Sequence, residues 1–136
     1  MAFQHGKNSY FEVDDSGGTS RNITAYIESI DFPFANADVA ETSVFGSSNK
    51  TFLAGQKTGT FTISGPYDPT LDGYLEGIVG GAEGDYIYGP YGSTGGYVKY
   101  TGKCICTSYQ ITGAVGDAVK YTASFQLTGA QTKTTF

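Results

Sequence analysis

Nucleophilic catalysis of the Ser–His–Asp or Cys–His kind needs an imidazole close to its nucleophile. The chain has one histidine, His5, in an N-terminal stretch of the kind that is poorly ordered unless tied down. The two cysteines, Cys104 and Cys106, stand one residue apart. On a strand they share a face of one segment, which is poor geometry for a mutual disulfide, so they read as two reduced thiols. One histidine and no second cysteine pair leave no ligand set for a metal. Paired carboxylates can hydrolyse glycosides, and Asp14-Asp15 is such a pair by sequence. Asp14-Asp15, however, opens the turn "DDSGGTS", and Asp68 stands immediately before a proline, where it reads as a helix cap. These residues predict no catalytic group, no cofactor and no metal.

The glycine-rich runs give no phosphate loop. "GPYGSTGG" lacks the Gly-Lys-Ser/Thr ending, and "TGKC" has neither a preceding glycine loop nor a following helix. "DDSGGTS" lacks the alternating oxygen ligands of a calcium loop and reads as a turn. "NIT" and "NKT" match glycosylation sequons, but "MAFQHGKNSY" has no basic segment followed by an apolar one, so no secretory leader gives them meaning. The tyrosines of "DYIYGPYG" could stack on a sugar, which makes a carbohydrate-binding module a further reading. Tyr86 and Tyr88 fall on one face of a strand, where they serve equally as core.

The elements holding these residues are mostly strands. "NSYFEV" (8–13) and "RNITAYIESIDF" (21–32) read as a hairpin across "DDSGGTS", with Ile23, Ala25 and Ile27 on one face. "TGTFTISG" (58–65) alternates, with Phe61 and Ile63 inward. "DYIYGP" is a short strand. "YVKYTGKCICTSYQIT" (97–112) is a long one, with a kink or bulge expected at Gly102. "VKYTASFQLTG" (119–129) puts Val119, Tyr121, Ala123, Phe125 and Leu127 on a buried side and Lys120, Thr122, Ser124, Gln126 and Thr128 on a wet one. The tail "AQTKTTF" has no pattern.

Between strands lies one helix. Asp68 is its N-cap, Pro69 its first residue, and Leu71, Tyr74, Leu75, Ile78 and Val79 recur at helical spacing as one apolar stripe; Gly80-Gly81 ends it in a left-handed cap. A helix of about 12 residues is marginal alone in water and must pack against the sheet. By contrast, "PFANADVAETSVFGSSNKTFLAGQK" (33–57) has no sustained period and is long for a connection. Phe34, Val44, Phe45, Phe52 and Leu53 make it too apolar for a solvated linker. It is expected to be an extension that contacts a partner, an irregular hairpin being one form it can take. The fold class is mainly β: a sandwich or open barrel of about seven strands, one domain over 1–136, with one flanking helix and flexible termini.

At 136 residues the chain is long enough for one core, and 20 glycines suit an all-β chain with many turns. No apolar run approaches the roughly 20 residues that cross a bilayer. The net charge is −5, and the eight Lys and Arg are scattered singly, which argues against wrapping nucleic acid.

The order of elements resembles the major tail protein, or tail tube protein, of long-tailed siphophages. The resemblance spans nearly the whole chain and rests on "HGKNSYFEVDDSGGTSRNITAYIESI", "AETSVFG", "LAGQKTGTFTISGPYD", "DPTLDGYLEGIVG", "YGPYGSTGGYVKYTGKCICTSYQIT" and "VGDAVKYTASFQLTGA". It implies a structural protein of the virion, assembled in the host cytoplasm, and not an enzyme. Its subunits would form hexameric rings, with strands shared between neighbours, stacked into a hollow tube through which DNA passes without specific binding. Tape measure, tail terminator and tail tip proteins would be its partners, with no membrane involved. The resemblance makes residues 33–57 an intersubunit arm anchored by Phe34, Val44, Phe45, Phe52 and Leu53. It makes 58–65, 97–112 and 119–128 barrel strands, with the helix outside and the termini helping rings to stack. Lys99 and Lys120 would be awkward facing a bore. A capsid decoration or head–tail connector protein is the alternative reading.

Overall fold

The structure is a computed structural model and describes Phe3 and residues 5–136. In chain order the strands are β1 (Tyr10–Asp14), β2 (Ser20–Asn22), β3 (Ser29–Asp31), β4 (Asn36–Glu41), β5 (Phe52–Thr58), β6 (Thr60–Pro66), β7 (Gly84–Gly89), β8 (Val98–Thr112) and β9 (Lys120–Thr135). Among the described residues one α-helix, α1 (Pro69–Leu75), lies between β6 and β7. Seven strands form one sheet in the order β2-β1-β7-β8-β9-β6-β3, and β4 and β5 form a separate ribbon. Every pairing between these strands is antiparallel.

The long strands β8 and β9 give the sheet its shape. β9 pairs with β6 over Lys120–Gln126, whereas β7 pairs with β8 at Tyr100–Cys104, toward the other end of the hairpin. The β8–β9 register shifts between Thr101 and Lys103 and again between Cys106 and Ser108. Bulges of this kind bend and twist a strand, and the first falls at Gly102 as the sequence predicts. The sheet folds back on itself there. Phe11 of β1 lies edge-on to Phe61 of β6 at 5.7 Å, and Tyr86 of β7 stands 5.4 Å from the same ring. One half of the sandwich is therefore β3-β6-β9-β8, and the other is β2-β1-β7 with the remaining ends of β8 and β9.

The core between the halves is apolar: Phe11, Val13, Ile23, Phe61, Ile63, Tyr86, Cys104, Cys106, Tyr121, Ala123, Phe125 and Leu127, with Leu71 and Leu75 of α1. The alternation in β6 and β9 fills it as read. Val119 departs from that reading; it precedes β9 and is 45% exposed.

Three expectations are corrected. The second strand is not continuous over 21–32. β2 pairs with β1, the chain turns through a 3-10 segment at Thr24–Tyr26, and β3 pairs with β6, so the segment crosses between the two edges of the sheet. The imperfect alternation there reflects this: Ile23 is buried, while Ala25 is exposed. The helix is also shorter than its stripe. Leu71 and Leu75 are fully buried, and Tyr74 and Ile78 pack at the core's margin. Val79, 43% exposed, bridges instead to Cys106. Gly80 has the left-handed φ of +70°, but it follows the helix end by several residues, and its N–H bonds the Cys106 carbonyl at 2.8 Å. Finally, the patternless tail is strand. β9 runs to Thr135, and Phe136 exchanges backbone hydrogen bonds with Gly96 and Tyr97 and packs edge-on to Tyr10. The flexible terminus expected at the start falls partly on residues 1, 2 and 4, outside the described residues.

Candidate assembly surfaces

Residues 33–57 project away from the core. β4 and β5 pair through Val39–Ala54, Ala40–Leu53 and Glu41–Phe52, with an irregularity between Ala37 and Val39, and every residue of both strands is exposed. The alternation puts Val39 and Phe52 on one side of the ribbon and Leu53 on the other, so neither side is polar. The tip is ordered by its own hydrogen bonds. Thr42 N–H donates to the Thr51 carbonyl at 2.8 Å, the two hydroxyls meet at 2.9 Å, and Gly46 adopts φ +86°. Phe45 is held there fully exposed, beside Val44 at 72%. Several large apolar side chains exposed on one projection mark an interaction site. Phe34 stands apart at the ribbon's root, its ring 5.2 Å from that of Tyr100. The structure places Val44, Phe45, Phe52 and Leu53 on the ribbon, with Phe52 and Leu53 on opposite sides, and Phe34 at its root.

Val39 and Val115 are among the exposed apolar positions that the sequence does not mark. Val39 was hidden in a segment without sustained period, though "NADVAE" is a short stretch of strand. Val115, fully exposed, caps the β8–β9 turn. It sits in "GAVGDA", which reads only as a turn.

The outward face of β6, β9 and β8 is uncharged over most of its area. Its rows are Thr60–Gln126–Ile105, Thr62–Ser124–Ser108 and Ser64–Thr122–Gln110. Thr60 Oγ1 donates to Gln126 Oε1 at 3.0 Å, and Gln126 Nε2 donates to the Gly59 carbonyl at 2.8 Å, which ties the polar groups to one another. Lys120, at the end of this face, pairs with Glu28 at 3.2 Å, and Lys99 lies over the Phe136 ring at 5.3 Å. Both lysines are thus partnered within the chain.

The opposite, apolar face is covered by the other half of the sandwich and by α1. Asp68 caps the helix by accepting from Thr70 N–H at 2.8 Å, and Tyr109 donates to Asp72 at 3.0 Å.

The residues read for chemistry serve the fold. Asp15 accepts from the N–H groups of Gly17 and Thr19 and from Arg21 Nε at 2.8 Å, and the Arg21 hydrogen bond holds its carboxyl below the usual range. His5 Nδ1 accepts from Lys7 N–H at the exposed chain start. Tyr86 is core, and Tyr88 packs against it. Burial pushes the free thiols of Cys104 and Cys106 up to about 12 and about 11, so neither is a nucleophile near neutrality. Among the described residues no group of three or more His, Cys, Asp or Glu converges as a metal site. No described helix is long and apolar enough to cross a membrane.

No protein-family model and no curated protein matches the chain. Solved structures do. The tail of an empty gene transfer agent (GTA) particle, refined with C6 symmetry, matches at TM-score 0.73 and 17% identity, covering 97% of this chain and 99% of that one. The sheath–tube complex of an extracellular contractile injection system (PVC), in its extended state, matches at TM-score 0.71 and 13% identity, covering 98% and 93%. The SPP1 tail tube matches at TM-score 0.63 and 12% identity, covering 98% and 80%. This chain has the fold of those tail and tube proteins.

Proposed function

We propose that this protein is a phage major tail subunit, polymerising as stacked hexameric rings into a hollow conduit for the genome. The ribbon carries the reading. A monomer in water gains nothing by holding Val44, Phe45, Phe52 and Leu53 exposed on an ordered projection, whereas a repeating assembly buries them once per copy. Such anchors concentrate interface energy when a pocket encloses them. The likeness in fold to the C6-symmetric GTA tail and the SPP1 tail tube supports the same reading.

In this assembly the ribbon is the intersubunit arm, with Val44, Phe45, Phe52 and Leu53 as its anchors and Phe34 fixing its root. The outward face of β6, β9 and β8 lines the bore, and α1 lies outside it. Hydroxyl and amide groups already bonded to one another offer phosphate little to bind, and without clustered Lys or Arg there is no counterion release to hold DNA. The tape measure, tail terminator and tail tip proteins are the partners along and at the ends of the tube, which is built in the host cytoplasm. Negative-stain microscopy of the purified protein at high concentration tests the reading. Rings of six or long hollow tubes are expected, and persistent monomers at every concentration would overturn it.

A further inference from the structure

Every residue of β4 and β5 is exposed, so the direction of the ribbon is set where it joins the sandwich. The chain crosses that junction twice. On the incoming side the ring of Pro33 fixes its own φ. Phe32 before it packs among Phe61, Tyr86, Tyr88 and Tyr100, and Phe34 after it lies against Tyr100. On the outgoing side β5 ends at Thr58 and β6 begins at Thr60, so Gly59 alone separates ribbon from sandwich. Glycine is the most freely bending residue, and a joint made of it swings unless something holds it. The site is also narrow: a Cβ at Gly59 would stand 3.1 Å from Leu127 Cδ1 and 3.5 Å from Pro33 Cγ.

Gln126 spans this joint. Its Nε2 donates to the Gly59 carbonyl at 2.8 Å and to the Thr58 hydroxyl at 3.1 Å, and its Oε1 accepts from the Thr60 hydroxyl at 3.0 Å. One side-chain amide therefore holds the last residue of the ribbon, the joint itself and the first residue of the sandwich strand. Leu127 N–H donates to the same Gly59 carbonyl at 2.9 Å, and the Leu127 carbonyl accepts a longer bond from Nε2 at 3.3 Å. Two carbonyl oxygens beside one end of the amide require that end to be the nitrogen. The next row of the same face shows what an ordinary polar position does there. Ser124 meets Thr62 across one strand pair at 3.4 Å, within the sandwich.

Leverage makes the joint matter. A swing of about 10° there carries Phe52, roughly 20 Å along β5 from Thr58, sideways by about 3.5 Å. Packed apolar contacts do not absorb a shift of that size.

We propose that Gln126 is a positioning residue that holds the ribbon at one angle to the sandwich in the free subunit, so that its apolar anchors are already aimed at a neighbouring copy. This rests on the tube reading and deepens it by naming the side chain that fixes the arm. An arm ordered before assembly removes part of the entropic cost that association otherwise carries.

Spin-label distances in the dilute monomer, below the concentration at which rings form, test the hold directly. Labels at Lys50→Cys on the ribbon and at Asp117→Cys or Thr132→Cys on the sandwich give two directions, and the native thiols are buried. The unaltered joint should give narrow distance distributions, and Gln126→Ala broad ones, with a urea midpoint close to the parent's. Gln126→Glu has the same length and keeps the acceptor for Thr60 but loses both donors, so it should behave like the alanine variant. Thr58→Val removes only the ribbon-side partner and should broaden the distributions less. The concentration at which Gln126→Ala forms tubes should rise about tenfold, in line with the net worth of one or two hydrogen bonds. Distributions equally narrow, or equally broad, in parent and variants would overturn the role of Gln126, as would tubes forming at the parent's concentration in its variants. Those outcomes leave the tube reading standing. Absence of rings and tubes from the unaltered protein would overturn that reading and the arm's purpose with it, whatever the distances show of the joint.

Discussion

At the scale of single residues, the two thiols are packing groups. Cys104 and Cys106 behave as small apolar groups of the core. Their raised pKa values have a consequence for stability. A group whose folded pKa lies above its unfolded value stabilises fully below the unfolded value, here about 9.0, and that stabilisation is lost as pH rises through the folded one. The urea midpoint should therefore fall as pH is raised from 9 toward 11 or 12, and thiol reagents should be slow at neutral pH until the chain unfolds. Replacing both cysteines with alanine should flatten the pH dependence without removing it, because burial also raises Tyr86 and Tyr121. Gly65 is a second packing residue. A Cβ there would run into the backbone carbonyl of Tyr26, which cannot swing aside as a side-chain tip would and which also accepts from the Tyr121 hydroxyl at 2.8 Å. Gly65→Ala should cost about 1–3 kcal/mol by chemical denaturation.

At the scale of elements, α1 is short and depends on its ends and its two buried leucines. Asp68→Ala removes the side-chain acceptor for Thr70 N–H and should cost about 1 kcal/mol. Leu75→Ala empties a fully buried site and should cost about 2–5 kcal/mol. Urea denaturation of the two variants ranks cap against core, and equal losses would contradict the burial seen here. The elements also show what a sequence can disclose. β6 and the first half of β9 were legible because one face is buried and the other wet, which writes a period of two into the side chains. The end of β9 was not, because "AQTKTT" lies beyond the core with both faces polar, and only pairing with β8 makes it strand. Residues 21–32 read as one strand in the sequence because a crossover between two edges still places an apolar residue, Ile23, in the core. The helix stripe overran for a similar reason: Ile78 packs at the core's margin from a turn as it would from a helix.

For the whole molecule, the ribbon and the sandwich are separable in energetic terms, and this gives the sharpest test of what the protein is for. All fourteen core side chains come from outside residues 33–57. The ribbon's exposed strands add no apolar burial to the monomer, so removing most of it costs the fold little beyond the closure of a shorter loop. Deleting residues 40–52 should leave a chain with unchanged near-ultraviolet circular dichroism and a urea midpoint close to that of the parent. It should sediment as a monomer at concentrations where the parent forms rings or tubes. The two halves of that expectation fail for different reasons. Loss of the fold would mean that β4 and β5 support the sandwich through contacts absent from this structure. Tubes formed by the deleted chain would mean that the exposed Phe45 and its neighbours are not the arm, and that assembly proceeds through the sheet edges alone.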